Sequence, residues 1–293
     1  MEAVKTEKLT KYYGKSRGIV DLDLSVGEGE YFGFIGPNGA GKSTTIRSLL
    51  GLITPTSGKG SVFGRDIVAE KDEILRDVGY IPSEAIFYSG MKGKDIIKLS
   101  SELRGVDCSA RASGLCERLE LDTSKKVDEL SFGNRKKLAI VCALQSSPRL
   151  LILDEPTGGL DPLIQHEFFE MIKEQNEQGA TVFLSSHILT EVQRNCTRAA
   201  VIKEGRIIAS GSVEALSKTR AKRVSLRGRV DVERLEGIKD VIKHGDAISF
   251  LYSGEIKALL DCLASGEVSD LSISEPDLEE IFLHYYEKAG DEA

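Results

Sequence analysis

The sequence predicts an α/β fold built around a loop that binds phosphate groups, and three observations support it. Residues 36–43 read Gly-Pro-Asn-Gly-Ala-Gly-Lys-Ser, which fits the pattern Gly-x-x-x-x-Gly-Lys-Ser/Thr at every fixed position. The apolar run 31–35 before the loop indicates a buried strand, and the helix-forming residues 44–50 follow it. A second apolar run, 150–153, is typical of another buried parallel strand. Strand, glycine-rich loop and helix in this order aim a helix N-terminus at an anion.

The residues of the loop indicate the class of ligand. Its glycines allow tight turning, so that several backbone N–H groups can face one anion. Lys42 places a point charge where β- and γ-phosphates would lie, and the hydroxyl of Ser43 suits Mg²⁺, which prefers oxygen ligands. The residues expected to bind the nucleotide here are Gly36, Pro37, Asn38, Gly39, Ala40, Gly41, Lys42, Ser43 and the following Thr44. The pattern therefore predicts a site for a nucleoside triphosphate with magnesium.

Two carboxylates follow the apolar run 150–153. The carboxyl end of a parallel strand is where open α/β sheets bind ligands. We expect Asp154 to hold Mg²⁺ there, directly or through water. Glu155 is placed to orient or deprotonate an attacking water, which is the one task that phosphoryl transfer leaves to a base.

Three further segments narrow the class of nucleotide site. Leu-Ser-Phe-Gly-Asn at 130–134 precedes a helix predicted over 135–144 and forms a second anion-binding helix start. Gly-Leu-Asp-Pro at 159–162 follows the two carboxylates, and the strand-like run 181–186 ends at His187. In this order the set resembles the ATP-binding cassette (ABC) ATPases. The resemblance implies ATP hydrolysis, with ATP and Mg²⁺ bound.

The resemblance covers residues 3–215 and assigns roles to single side chains. Tyr13 looks like the aromatic residue that stacks on adenine, in preference to Tyr12. His187 looks like the residue that contacts the γ-phosphate and steadies Glu155 and the water. Judged alone, one histidine at a strand end is more often a structural or surface residue.

Other roles in the family belong to an interface between subunits. Ser131 and Gly133, with Asn134 beside them, resemble the signature loop that contacts the γ-phosphate of a nucleotide held by another subunit. Asp161 resembles the D-loop residue at that interface. The chain has one phosphate loop and one signature loop, and in the family these meet only between subunits. The resemblance therefore implies a dimer that forms with ATP, most simply a homodimer with C₂ symmetry.

Two places depart from the family pattern. The signature loop has Phe132 and Asn134 where the family usually has glycine and glutamine, and asparagine keeps the amide. After the strand-like run 78–82, the family places a glutamine that touches Mg²⁺ and senses the membrane partner, whereas this chain has Ser83 and then Glu84. We expect Glu84, or a water bound by Ser83, to replace that glutamine at the metal.

Composition bounds the choice of partner and compartment. Net charge is −7 and no long basic block appears, which argues against nucleic acid as the main partner. The short basic patch 135–137 is interpreted as a helix face beside the signature loop. The 5 cysteines are scattered without a Cys-x-x-Cys pair, which favours free thiols in a reducing compartment. No stretch reaches the roughly 18 apolar residues of a membrane span, so we expect any membrane role to come from a partner.

The chain divides into two predicted domains. Residues 1–216 are expected to form the nucleotide-binding domain, with a mixed sheet core, an antiparallel β subdomain and a helical subdomain at about 84–147. A polar, basic linker at 217–223 leads to a small α/β domain at 224–293. In that domain we expect strands at 224–226, 247–250 and 268–273, a helix at 256–263 and a final amphipathic helix from Pro276.

The leading interpretation is the ATPase subunit of an ABC transporter, cytoplasmic and peripheral on the inner face of the cell membrane, that drives an integral-membrane permease. Glu-Pro-Asp-Leu-Glu-Glu-Ile-Phe at 275–282 is similar to tails in the drug-, peptide- and antibiotic-exporter branch of the family. One alternative is a soluble, non-transport ABC ATPase for assembly or repair. Another is a different phosphate-loop class, such as a GTPase or a small-molecule kinase, in which the signature loop has no role.

Overall fold

The computed structural model describes residues 1–217 and 222–274. Backbone contacts divide the chain into two compact units, Met1–Val213 and Glu214–Ala293, and each has its own hydrophobic core. The predicted domain limits at residues 216 and 224 stay predictions. Within the described ranges, no helix is long and apolar enough to span a membrane.

The first unit begins with an antiparallel sheet. Its strands are β1 (Glu2–Tyr13), β2 (Ser16–Gly27), β4 (Ser57–Val62) and β5 (Arg65–Asp66), in the order β2-β1-β4-β5. From Asp21 to Val26, β2 alternates exposed polar residues with buried apolar ones, which is the period of a strand with one face on the core. Tyr13 lies at the end of β1 and is half exposed.

A six-stranded mixed sheet forms the centre of the first unit, in the order β10-β9-β3-β8-β7-β6. Its strands are β3 (Tyr31–Ile35), β6 (Val78–Ile81), β7 (Leu150–Asp154), β8 (Thr181–Ser186), β9 (Arg198–Lys203) and β10 (Arg206–Ser212). All neighbours pair in parallel except β10, which runs antiparallel to β9. Every residue of β3, β7 and β8 is buried, which explains why these strands read as continuous runs rather than alternating ones.

Helices cover this sheet and form a separate helical segment. They are α1 (Lys42–Leu49), α2 (Lys71–Asp77), α3 (Gly93–Arg104), α4 (Ser109–Arg118), α5 (Phe132–Leu144), α6 (Pro162–Glu177) and α7 (Leu189–Asn195), with a 3₁₀ turn at Val127–Glu129. A short helix, α8 (Val213–Ser217), begins at the last residue of the first unit. The helix predicted over 135–144 begins earlier, at Phe132. The reason is a cap: the hydroxyl oxygen of Ser131 accepts a hydrogen bond from the Asn134 N–H at 3.3 Å.

The second unit contains an antiparallel sheet in the order β12-β13-β11-β14. Its elements are β11 (Lys222–Arg229), a 3₁₀ turn at Val232–Arg234, β12 (Ile238–His244), β13 (Ala247–Tyr252), α9 (Ile256–Ala264) and β14 (Glu267–Ser274). Apolar side chains of β11, β13 and α9 form the core of this unit, among them Phe250 and Leu259, which are fully buried.

Sequence and structure differ in two places in this unit. The sequence did not predict β12, because nearly all of its residues are exposed and the strand has no apolar alternation. β11 begins at Lys222, inside the predicted linker, since Lys222 and Arg223 already pair with Tyr252 and Leu251 in the sheet. The amphipathic helix predicted from Pro276 lies outside the described residues.

Candidate functional site

The predicted phosphate loop connects the carboxyl end of β3 to the first turn of α1. Two of its glycines are required by close approach of other backbone. Gly41 has φ of +114°, and a Cβ there would lie 2.9 Å from the Gly18 carbonyl oxygen. A Cβ on Gly36 would lie 2.5 Å from the Ile202 carbonyl oxygen. The loop is therefore closely packed against β2 and β9, and its shape depends on the tertiary structure around it.

Lys42 is held inside this loop. Its side chain is 6% exposed, and Nζ donates to the carbonyl oxygens of Gly36 at 2.6 Å and Pro37 at 3.3 Å. Nζ also lies 3.1 Å from Oε1 of Glu155. The ammonium group is thus fixed at the mouth of the loop, paired with a carboxylate from the end of β7.

Ser43 and Asp154 join the loop to the central sheet. The Ser43 hydroxyl donates to Oδ2 of Asp154 at 2.8 Å, and the Ser185 hydroxyl donates to Oδ1 at 3.1 Å. Asp154 is almost completely buried. These are hydroxyl and carboxylate oxygens side by side, the donor set that Mg²⁺ prefers. Ser185 orients the carboxylate from behind, as groups around a metal ligand commonly do.

Glu155 lies between two nitrogen groups. Its other carboxylate oxygen, Oε2, is 2.5 Å from Nδ1 of His187, while Oε1 faces Lys42. Its backbone has φ of +48°, in the left-handed region, and its N–H donates to the Ser185 carbonyl at 2.9 Å. The parallel register of β7 and β8 brings Glu155 and His187 together, since both residues directly follow the ends of adjacent strands.

A cavity of about 260 Å³ opens above the loop. It is lined by Tyr13, Arg17, Gly18, Pro37, Asn38, Gly39, Gly41, Lys42, Ser43, Thr44, Ser83 and Glu155. Of the loop residues expected to bind nucleotide, Gly36 and Ala40 do not line it, and the buried Ala40 uses its N–H to bond the Pro37 carbonyl. Ser83 reaches the cavity wall, whereas the exposed Glu84 does not.

The signature-loop residues lie elsewhere on the same chain. None of Ser131, Gly133, Asn134 and Asp161 lines the cavity. Gly133 packs against the backbone of Gly159, and the half-exposed ring of Phe132 packs against the same glycine. Asp161 caps α6 by accepting a hydrogen bond from the Ile164 N–H at 3.1 Å. Within one chain, the structure therefore brings together the phosphate loop, Asp154, Glu155 and His187, but leaves the signature loop apart from them.

Two side chains at the site escaped the sequence analysis. Arg17 lines the cavity beside Tyr13, and its Nη1 lies 3.0 Å from Oε2 of Glu204. Lys136, interpreted as part of a basic helix face, is instead 1% exposed and donates to backbone carbonyls near Glu155. Its burial lowers the pKa of the Lys136 ammonium to about 8, although the nearby carboxylates of Asp154 and Glu155 act to raise it. Neither residue belongs to a local motif, so no sequence signal indicated it.

Glu191, on α7, supports the residue that precedes His187. Glu191 is buried on α7 and accepts hydrogen bonds from the hydroxyls of Thr157 at 2.6 Å and Ser186 at 2.8 Å. Burial raises the pKa of its carboxyl group. Glu191 thereby ties the loop after Glu155 to the residue preceding His187.

Comparison with known proteins decides the family. The family described as ABC transporter matches residues 19–158. The bacitracin transport ATP-binding protein BcrA of Bacillus licheniformis is 35% identical, over 96% of this chain and 96% of its own length. The chain belongs to the family of ABC transporter ATP-binding proteins. As a member, this cassette is the ATP-binding and ATP-hydrolysing subunit of a transporter, rather than a GTPase or a small-molecule kinase.

A second relative and a solved structure agree with this assignment. The daunorubicin/doxorubicin resistance ATP-binding protein DrrA of Streptomyces peucetius is 32% identical over 96% of this chain and 91% of its own. The dimeric post-hydrolysis state of the ATP-binding cassette MJ0796, bound to ADP and Pi, superposes with a TM-score of 0.63 at 25% identity, covering 72% of this chain and 98% of that one. The predicted ABC ATPase fold is confirmed.

Arg17 lines the cavity, so its contribution to ATP binding can be tested. We expect Arg17→Met to raise the dissociation constant for ATP by about tenfold, because a hydrogen bond to a charged group contributes roughly 1.5 kcal/mol or more. Titration with a fluorescent ATP analogue measures the change. Glu204→Gln is the matched control, since it breaks the same ion pair and keeps Arg17. Equal affinity of the Arg17 variant and the unaltered protein would show that Arg17 only pairs with Glu204.

Proposed function

We propose that this cassette powers an exporter, and that two copies of it drive one integral-membrane permease. The observation that supports export is the similarity, over nearly the whole chain, to proteins named for bacitracin transport and for daunorubicin/doxorubicin resistance. Both names concern antibiotics, so the proposed cargo class is an antibiotic-like compound. The proposed location is the cytoplasmic face of the membrane, where ATP is available and a permease can hold the cassette. That nucleic acid is not a partner stays a prediction.

Each part of the cavity has a proposed role toward ATP. Tyr13, half exposed at the end of β1, stacks on the adenine, and Arg17 beside it supplies positive charge. Lys42 exchanges its bonds to loop carbonyls for bonds to β- and γ-phosphate oxygens. The remaining loop contacts come from backbone N–H groups at the start of α1. The binding energy is thus spread along the loop and the rim of β1 and β2.

Ser43 and Asp154 are the proposed magnesium ligands. Their oxygens already lie 2.8 Å apart beside the phosphate loop, and Ser185 fixes the orientation of the carboxylate. When bound, Mg²⁺ neutralises charge on the β- and γ-phosphates. The residues present therefore fit the metal that the family uses, and Ser83 is the nearest candidate for a water-mediated ligand because it lines the same cavity.

Glu155 is the proposed general base and His187 its orienting partner. A carboxylate that accepts from His187 on one oxygen and faces Lys42 with the other has a fixed direction. It can hold the attacking water and accept its proton. Once Glu155 has passed that proton on and phosphate has left, the ion pair between Glu155 and Lys42 forms again. The left-handed backbone at Glu155 turns the side chain out of the sheet toward the cavity.

A second copy completes the site in this proposal. The cavity above the phosphate loop of a chain is not lined by that chain's own Ser131, Gly133, Asn134 or Asp161. Ser131 nevertheless caps the start of a helix, which is a suitable place for an anion. With C₂ symmetry, the signature loop of each copy covers the nucleotide of the other. The solved dimer of a related cassette supports this arrangement. ATP then closes the dimer, and hydrolysis opens it.

The proposed docking surface for the permease is a groove in the helical segment. It is a cavity of about 980 Å³ lined by residues from α2, α3, α5 and the loop after β6. The most exposed apolar side chains there are Ile86 at 82%, Tyr88 at 71% and Leu103 at 78%. Exposed apolar clusters mark interaction sites. We assign the groove to a cytoplasmic helix of the permease because the chain is a transporter subunit and the same loop reaches the nucleotide cavity at Ser83.

Glu155→Gln tests the dimer. Without a base, ATP is bound but not hydrolysed, so the variant with saturating Mg-ATP should become a dimer by multi-angle light scattering, while the unaltered protein without ATP stays mostly monomeric. Glu155→Gln with Lys42→Ala is the matched control, since it removes the phosphate contact. A monomer under saturating Mg-ATP would contradict the proposal.

Replacing Ser83 and Glu84 tests the metal assignment. We expect Ser83→Ala to raise the Mg²⁺ concentration needed for half-maximal ATPase activity several-fold, and Glu84→Ala to change it little, because only Ser83 lines the cavity. Steady-state ATPase assays across a Mg²⁺ series measure both. If alanine at both positions together leaves activity and metal dependence unchanged, neither residue replaces the glutamine of the family.

Membrane capture tests the permease and the groove. Tagged Glu155→Gln, with Mg-ATP and gently solubilised native membranes, should recover a multi-span membrane protein in a fixed ratio, identified by mass spectrometry. Adding Tyr88→Glu should abolish that recovery, because a charge would be buried in the groove. Leu163→Glu is the matched control, since Leu163 is 73% exposed on α6 and lies outside the groove. Recovery from the soluble fraction alone would favour the soluble assembly or repair factor.

A further inference from the structure

Lys136 is a buried cation at the junction of three parts of the site. It lies on α5, one turn after the Ser131 cap, and 1% of its surface is exposed. Its Nζ donates to the carbonyl oxygens of Pro82 at 2.8 Å, Ser83 at 3.0 Å and Glu155 at 2.9 Å. An ammonium group has three N–H donors, so these three bonds use its full capacity.

The cost of burying this charge indicates a specific use. An ammonium group loses its hydration when buried, and the loss is severe unless partners replace the water. A leucine or methionine of similar volume would fill the space without that cost. What an apolar residue cannot do is hold three carbonyl oxygens from two different chain segments at one point. The lysine is therefore suited to fixing the relative position of those segments.

The two segments, the loop after β6 and the residue after β7, have different roles. Pro82 and Ser83 begin the loop that follows β6, which continues to the exposed Ile86 and Tyr88 in the groove and touches the nucleotide cavity through Ser83. Glu155 directly follows β7, and its backbone lies in the left-handed region. Its own carbonyl oxygen is the one that accepts from Lys136. A shift of the loop by about 1 Å would move Nζ or break one of its bonds. Either change alters the support of the Glu155 backbone.

We propose that Lys136 is a positioning residue that couples the 82–88 loop, part of the proposed permease groove, to Glu155, and that this coupling sets the rate of ATP hydrolysis. Lys136 itself does not line the nucleotide cavity. It acts through the Glu155 backbone, which determines where the carboxylate points. This coupling rests on the proposed function, in which Glu155 is the general base and the groove receives the permease.

The experiment compares Lys136→Met with Lys136→Arg in the purified full-length cassette. Methionine keeps the length and loses all three bonds. We expect kcat to fall at least about tenfold, since displacement of a catalytic group by about 1 Å costs up to a hundredfold. The dissociation constant for ATP should stay within about twofold. Arginine keeps the charge and the donors and should recover most of kcat. Lys173→Met, at an exposed lysine on α6, is the matched control and should change nothing.

Hydrogen–deuterium exchange supplies the readout for coupling. In Lys136→Met, amides of the 82–90 peptide and of the peptide following Glu155 should exchange faster together, while those of β3 stay unchanged. Proportional losses of ATP affinity, kcat and thermal stability would overturn the proposal in favour of a general packing role. So would an unchanged kcat. If methionine prevents folding, Lys136→Gln, which keeps two donors, replaces it, and failure of both to fold would show a folding requirement instead.

The outcomes separate this inference from the proposed function. If Glu155→Gln still hydrolyses ATP, the assignment of the base is wrong whatever Lys136 does. If Glu155→Gln is inactive and Lys136→Met keeps the full kcat, the base assignment stands and the coupling through Lys136 is wrong.

Discussion

The site depends on the parallel register of three strands, β3, β8 and β7, in the central sheet. In parallel pairing the carboxyl ends of neighbouring strands lie at one edge, and here Ile35 pairs with Ser186 while Asp154 pairs with Ser185. Groups that are far apart in the chain therefore meet: Ser43 bonds to Asp154 across 111 positions. A change of register would separate the loop from its carboxylates, since each would then leave the sheet at a different level.

Two lysine ammonium groups contact Glu155. One lysine, Lys42, lies against its carboxylate, and a second, Lys136, holds its backbone carbonyl. Both ammonium groups are buried. Lys42 also donates to a carbonyl oxygen of the phosphate loop, and Lys136 to one of the loop after β6. In the proposed site, Lys42 exchanges its hydrogen bonds to loop carbonyl oxygens for hydrogen bonds to phosphate oxygens. The second lysine has no access to the cavity, so its effect is on geometry alone.

In the proposed dimer, each chain contributes half of each of two sites. Ser131 caps α5 and exposes an anion-binding helix start, while the cavity over the phosphate loop has only its own walls. In the proposed dimer, this division links the binding of ATP to the association of subunits, because the ligand lies between the phosphate loop of one copy and the signature loop of the other. The proposed groove is connected to the cavity by the loop after β6, which lines the groove at Ile86 and Tyr88 and the cavity at Ser83.

The sequence alone determined what local chemistry can specify. The phosphate loop, the apolar runs of β3, β7 and β8, and the acidic and histidine residues at the strand ends are short patterns whose physical requirements are local, and they identified the family and the core of the site. The tertiary structure decided what depends on distant neighbours. Arg17 reaches the cavity and Lys136 is buried only because other strands and loops surround them, and β12 pairs although its exposed residues have no apolar period. Burial and long-range hydrogen bonds are not written in any one segment, so only the folded chain reveals them.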